Sequence, residues 1–573
     1  MIIPTDRRPV ILVLSAIGFG FLLAAAMPTC GEELRLWSYP PHPMTRPLRP
    51  RPSDEEFLKI VPPLRPVPQF TAEQKQRGMA LWWADYSQLL FSEQPPSADD
   101  LARPAVAKTP PGEDEPLVLG LWGIEDVGLV TLRVRESPFP VTIRRVEFAP
   151  RYVPTRYQGS DIKGGRVVGF ATYLPENGTG EVKQGANTVF WINVQVPAGT
   201  EAGTYRLAFE LTVHQRQEVL EIPATVEVLD FSIPRADIAY GMYFRPTAQV
   251  DPRYRTPQLM HAYWQDMARH GMTSATLYNY QKPLFAESGA LQLDDNPDIQ
   301  RVKDMMADGL LTGDIPIMLL SWGFSEQQAQ VLRDELKKRG LPEFLLYTWD
   351  EPPLSKKVRD QLARQQPFRQ YMRLVTALND AAAIAYADLL DVWVVHSGLI
   401  SPQIQALARD YGAELWTYNC TARGTGNSSF NRFYAGLYTW ALELKGNFIW
   451  CYHEHYSWEG DRNAIHCWVL PSDSGPVPSV AWEARREGVE DYRLLKYLES
   501  LVAANPERAE AQEAQQWLDQ IRGRVDWYLT RKMPPHIYPW DGPELYPMCP
   551  DFEPSELAAV RAQLVEYIDS LLP

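Results

Sequence analysis

The chain has 573 residues, 45% of them hydrophobic and 22% charged, which excludes wholesale disorder and a multi-span membrane protein. Its 56 basic and 71 acidic residues give a formal net charge of −15, and with no basic stripe to override that sign a phosphate-backbone binder is excluded as well. At roughly 150 residues per domain the length suits three or four domains, or fewer if one is a large barrel.

Residues 1–26 read as a secretory signal peptide. Arg7 and Arg8 precede an uncharged run, Val10 to Met27, that contains Leu22-Leu-Ala-Ala-Ala26, and cleavage is expected after Ala26. The run also reaches the lower limit for spanning a bilayer, so an uncleaved anchor stays open. Either form is exported, to the periplasm or the extracellular space, with membrane association only through such an anchor. Five cysteines, Cys30, Cys420, Cys451, Cys467 and Cys549, are too few for a disulfide framework, and pairing among Cys420, Cys451 and Cys467 is left open. Residues 27–110 form a proline-rich extension with a short helix, in which the prolines between 38 and 70 forbid regular helix and favour an extended arm.

From 111 to 235 short alternating runs such as Thr131-Leu-Arg-Val-Arg and Thr225-Val-Glu-Val-Leu, punctuated by Glu176-Asn-Gly, predict an antiparallel β-sandwich that serves packing. From 236 to 500 helical and strand-like patterns alternate. Ile315-Pro-Ile-Met-Leu-Leu, Glu343-Phe-Leu-Leu-Tyr-Thr-Trp, Asp391-Val-Trp-Val-Val and Glu414-Leu-Trp-Thr-Tyr are the clearest strands, and the length suits a (β/α)8 TIM-like barrel. No glycine-rich phosphate loop opens a helix, which weighs against nucleotide folds. Residues 501–573 carry two amphipathic patterns around a proline- and aromatic-rich loop and are read as a C-terminal helical cap.

In such a barrel the chemistry belongs at the carboxyl ends of the strands. Asp350-Glu351-Pro352-Pro353 follows the strand that ends in Trp349, and adjacent carboxylates raise at least one pKa, which suits an acid beside an ion in glycoside cleavage. The plainer reading is a capping aspartate beside a solvated glutamate. Alternation along a strand sends neighbouring side chains to opposite faces, so both acids reach one pocket only where the strand has ended. Eight of the 18 tryptophans fall between 349 and 482, and indole faces stack on sugar C–H faces. Each alone fits a core as well, but Trp349, Trp416, Trp450 and Trp458, after strand ends, are the candidates for the pocket. The run Cys451-Tyr-His453-Glu454-His455, with His466-Cys467, could ligate zinc, yet it lacks HExxH or paired CxxC spacing. No metal and no cofactor are expected.

Four segments carry a family resemblance: Leu346-Tyr-Thr-Trp-Asp-Glu-Pro, Leu415-Trp-Thr-Tyr-Asn-Cys, Phe433 to Trp450, and Pro478-Ser-Val-Ala-Trp-Glu-Ala-Arg-Arg-Glu-Gly. Across roughly residues 110 to 500 the chain resembles glycoside hydrolase family 123 and its uncharacterised relatives. That resemblance implies a retaining, substrate-assisted enzyme acting on a terminal β-N-acetylgalactosaminide-like sugar, with a glycan as its substrate and its oligomeric state left open. Glu351 would then protonate the leaving oxygen and later activate water, while Asp350 orients the 2-acetamido group as it attacks the anomeric carbon. Tyr418 and Asn419 would contact the acetamido group or hydroxyls, and Trp349 and Trp450 would wall the pocket; Tyr347, His453 and Glu454 complete the substrate-binding set. The chain departs from its relatives at Asn463-Ala-Ile465 and in the loop Thr421 to Asn431. Two rival readings stay beside this one. One is a two-carboxylate retaining glycosidase with Glu351 as acid/base and Glu454 as nucleophile, about 5 to 5.5 Å apart; the other is a non-catalytic glycan-binding or envelope scaffold protein.

Overall fold

A computed structural model describes residues 64–531, Phe552 and 554–572, apart from 155–156, 159–160, 163–164, 279–281, 321, 380, 420–427 and 454–467. The expected signal peptide and most of the proline-rich arm, together with Cys30, Cys420, Glu454, Trp458, Cys467 and Cys549, lie outside the described residues. Among the described residues no helix is long and apolar enough to cross a membrane.

Two sheets precede the barrel. One has four strands in the order Met79–Ala84, Asp114–Gly123, Asn187–Gln195, Val141–Arg145. The other has five, in the order Thr179–Val182, Gly128–Glu136, Gly203–Val213, Glu218–Val228, Val106–Thr109, all antiparallel except the last pair. Leu207, Phe209, Leu211 and Val213 face inward at every second residue, as the pleat requires, and meet Leu119, Leu121, Phe190 and Ile192 of the other sheet in one core. The outer face of Asn187–Gln195 is covered too, because Val189 and Trp191 pack with Trp82, Trp122 and Val480. The strands Met79–Ala84 and Val106–Thr109 come from the segment expected to be extension. Alternation is weak in Met-Ala-Leu-Trp-Trp-Ala, since neighbours cover both of its faces, so it does not read as a surface strand.

The barrel has eight parallel strands: Ala239–Tyr243, Thr276–Leu277, Ile317–Leu319, Phe344–Asp350, Leu374–Leu378, Val392–His396, Glu414–Asn419 and Gly446–Trp450. The first strand pairs with the eighth, and between first and second threonine hydroxyls stand in for the ladder. Tyr240 N–H donates to Thr273 Oγ1 at 2.9 Å and Phe244 N–H to Thr276 Oγ1 at 3.1 Å. Several outer helices open on a capping side chain followed by proline, Thr256-Pro257, Asn296-Pro297 and Ser401-Pro402, which satisfies free N–H groups and presets φ. Between the fifth and sixth strands the connection is a 3₁₀ segment, Ala381–Leu389. Inside, Leu345, Tyr347, Val375, Ala377, Val392, Val394, Trp416, Tyr418 and Phe448 alternate into a single core with Trp450 at its edge. Gly446 is required there, because a Cβ would lie 2.3 Å from Trp416.

The helix Val480–Ala504 crosses the expected boundary at 500 and lies buried between the barrel and the sheets, with Pro554–Leu571 packed on it. Its amino-terminal half carries charge into that interface. Arg432 pairs with Asp491 at 2.6 Å, Arg486 with Glu487 at 2.6 Å, and Arg561 of the last helix with Glu487 and Glu490.

Candidate active site

The carboxyl end of the fourth barrel strand resolves the problem of two adjacent acids. Its pairing with the fifth strand slips between Tyr347 and Asp350, and Glu351 adopts φ +47°, a left-handed conformation that costs a non-glycine residue of order 1–3 kcal/mol. The slip and the left-handed turn replace the strict alternation that would send the two side chains apart. Both now meet residues that point into the barrel. Tyr347 Oη donates to Asp350 Oδ1 at 2.7 Å, and Tyr418 Oη, from the seventh strand, donates to Glu351 Oε1. The two tyrosines are buried and occupy corresponding inward positions, whereas Asp350 and Glu351 stay exposed at the rim.

The Glu351 carboxyl is nevertheless surrounded by enough protein for desolvation to push its pKa up. The Tyr418 hydrogen bond pulls it down and the neighbouring Asp350 charge adds to the rise. Residue exposure and carboxyl desolvation are compatible at a strand end, where water reaches one side of a group and protein crowds the other. Burial first, then Tyr243 and Asp350, raise the Tyr347 phenol well above its ordinary value, so it remains a neutral donor. Trp322 Nε1 donates to the Tyr347 carbonyl at 3.1 Å, fixing the strand where it slips, and His396 meets the Tyr418 ring edge-on at 5.4 Å.

The remaining candidates divide by depth. Trp349 and Trp450 are half-buried at the rim, with Trp450 5.8 Å from the Tyr243 ring. Trp416, expected at the pocket, is instead a core residue. It sits two residues before Tyr418 on the same inward face, one layer lower, stacked on Phe448 at 5.6 Å and 8° with its indole N–H on Glu414 at 3.0 Å. Asn419 is buried in the barrel wall with its amide donating to Ser397 Oγ at 2.7 Å. His453 is also set back from the pocket. It packs on Tyr263, Phe244 and Tyr452, its Nδ1 lies against the Val469 carbonyl, and burial lowers its pKa to about 3, so it is neutral. Glu454 and Trp458 lie outside the described residues.

Sequence reasoning passed over Tyr243, Arg245, Tyr278 and Trp322. The first two lie at the end of the first barrel strand, in Tyr240-Gly-Met-Tyr-Phe-Arg245, where position alone marks rim residues. Among the described residues one acidic cluster has ligand atoms close enough for a metal, Glu115, Glu487 and Glu490, within 4.8 Å of one another. Its positive charge is already supplied by Arg486 and Arg561, and it lies in the interface of the long helix, not beside Asp350 and Glu351.

No family model matches the sequence, and no curated protein matches it. Among solved structures the chain is similar to a family 123 glycoside hydrolase from Clostridium perfringens, studied for glycolipid glycan hydrolysis. The two share 12% identity and a TM-score of 0.57 over 86% of this chain and 100% of that one. Weaker alignments reach a β-glucuronidase from Parabacteroides merdae, with 9% identity and a TM-score of 0.28 over 72% of this chain and 52% of that one. An endo-β-1,4-mannanase from Thermotoga petrophila aligns with 9% identity and a TM-score of 0.28 over 45% of this chain and 76% of its own. The first likeness shows that the fold resembles that of a family 123 enzyme along most of the chain; the weaker two add no argument.

Proposed function

We propose that the protein is an exported glycoside hydrolase that cleaves a terminal 2-acetamido sugar by a retaining, substrate-assisted route. The observation that carries this reading is the Asp350–Glu351 pair at the barrel rim, each acid held by the hydroxyl of a different inward-pointing tyrosine. Glu351, with its pKa pushed up, suits the acid that protonates the leaving oxygen and the base that later takes a proton from water. Asp350, fixed by Tyr347, suits the group that orients the acetamido N–H while the acetamido oxygen attacks the anomeric carbon. An intramolecular nucleophile enjoys effective molarities of about 10⁵ to 10⁸ M, so no protein nucleophile is needed. The fold shared with a family 123 glycoside hydrolase supports the class. The two-sheet unit is read as a β-sandwich packing module that takes no part in the chemistry.

The test is hydrolysis of four aryl β-glycosides: N-acetylgalactosaminide, N-acetylglucosaminide, galactoside and glucoside. Turnover is expected only with the acetamido sugars, lost in Asp350→Asn and reduced about 10²- to 10⁴-fold in Glu351→Gln. Turnover of the plain glycosides would instead require a protein nucleophile such as Glu454. Export is checked by amino-terminal sequencing of protein recovered outside the cytoplasm, with residue 27 expected first.

A further inference from the structure

The first barrel strand ends in a cation that the proposed reaction does not use. Arg245 follows Tyr243-Phe244, and its guanidinium carbon lies 5.1 Å from the Trp450 ring centre and 5.4 Å from that of Tyr278. Both aromatic residues are at carboxyl ends of barrel strands, the eighth and the second, so the guanidinium sits at the rim. It belongs to the same wall as the acids. Trp450 neighbours Tyr243 at 5.8 Å, the Tyr243 phenol is close enough to help raise the Tyr347 pKa, and Tyr347 donates to Asp350.

Other half-buried arginines of the chain, such as Arg359, Arg369 and Arg373, are matched with a carboxylate. Among the described residues no carboxylate pairs with Arg245, and its Nε is enclosed without a hydrogen-bond partner. Gln249 accepts the Arg245 backbone N–H at 2.5 Å through Oε1, which pins the strand end, and its buried Nε2 is likewise without a partner. Both unpaired atoms are donors. A site with surplus donors, one of them cationic and held against aromatic faces, is short of acceptor oxygens and of negative charge.

We infer that Arg245 reads an anionic group on the substrate, a sulfate ester on the acetamido sugar or the carboxylate of a uronic acid next to it. This inference rests on the glycosidase reading and names the substrate class of the same site.

The experiment compares kcat/KM for the neutral aryl N-acetylgalactosaminide, its 6-O-sulfo and 4-O-sulfo derivatives, and a disaccharide joining the acetamido sugar to glucuronic acid. Wild type, Arg245→Gln and Arg245→Lys are assayed, with unfolding midpoints as a folding control. Binding of free N-acetylgalactosamine 6-sulfate, 4-sulfate and the disaccharide is titrated calorimetrically alongside. The expected result is a preference of about 10- to 100-fold for one anionic probe, abolished in Arg245→Gln, partly kept in Arg245→Lys, with the neutral probe little changed. Which probe is preferred separates sulfate from carboxylate. Equal losses on neutral and charged probes, or no preference in wild type, would overturn the inference. If no probe is hydrolysed but one anionic sugar binds wild type and not Arg245→Gln, the anion site stands and the hydrolytic reading fails. Absence of both turnover and binding removes the two together.

Discussion

Two groups of neighbouring carboxylates in this chain face opposite kinds of partner. At the barrel rim Asp350 and Glu351 are met by the phenols of Tyr347 and Tyr418; in the interface under the long helix Glu487, Glu490 and Glu115 are met by the guanidiniums of Arg486 and Arg561. A phenol supplies one neutral donor, which orients a carboxylate while leaving desolvation free to raise its pKa, as at Glu351. In the interface burial works against the charge of Glu487, but Arg486 and Arg561 overcome it and hold that carboxyl below its ordinary value. Burial prevails at Glu490, pushing it up to about 7 against the pull of Arg561. Neutral partners at an open rim therefore make a group that can pass a proton to a ligand. Charged partners in a closed interface make a lock between helices and sheets.

The largest expected effect falls on the lock. Arg561→Met would take from the buried Glu487 and Glu490 one of the cations they share, leaving Arg486, and breaking such a network costs about 3–5 kcal/mol. The urea midpoint should drop by a large fraction of its wild-type value. Asp350→Asn, at the exposed rim, should leave that midpoint almost unmoved while abolishing turnover. A small shift for Arg561→Met would mean that the two carboxylate groups do not differ in the way their partners suggest.

Next comes Tyr347→Phe. The lost hydrogen bond to Asp350 is charge-assisted and of a kind worth about 1.5–3 kcal/mol, so kcat on an acetamido substrate should fall about 10- to 100-fold with KM much less affected. An equal fall in both Tyr347→Phe and Tyr243→Phe would place the effect in general packing of the upper barrel layer and not in the Tyr347–Asp350 hydrogen bond.

Much of this contrast was readable in the chain, and its gaps have physical causes. Glu343-Phe-Leu-Leu-Tyr-Thr-Trp reads as a strand because a parallel strand buried on both faces is a continuous apolar run. The acids after it follow from the rule that barrel chemistry sits at strand ends. Depth was harder to read. Trp416 and Tyr418 share a face and differ by one layer, yet only the hydrogen bond to Glu351 shows which of them reaches the rim. His453 reads as a substrate-binding residue among polar sequence neighbours; its neighbours in space, Phe244 and Tyr263, come from the residue after the first strand and from the helix Pro257–Arg269. The interface network joins residues as distant as Glu487 and Arg561, and no local pattern links them.

The smallest effect is the most pointed. Tyr418→Phe removes a donor that stabilises the ionised form of Glu351, while desolvation and the Asp350 charge, which both raise its pKa, remain. The Glu351 pKa must therefore rise further. In the proposed reaction Glu351 acts as an acid only when protonated, so activity would fall on the alkaline side as pH passes through that pKa, and the variant's alkaline limb of kcat/KM should move to higher pH. At the optimum the loss should be modest, about fivefold for one hydrogen bond of roughly 1 kcal/mol. A purely structural tyrosine would lower the whole profile without moving its limb, and a limb displaced toward acid would mean that the phenol favours the protonated carboxyl. The same substitution in the interface, where the Tyr86 hydroxyl accepts from Arg561 at 2.9 Å and helps hold the Glu487 carboxyl down, leaves Arg486 and Arg561 in place to hold that charge, so Tyr86→Phe should alter no limb of the activity profile.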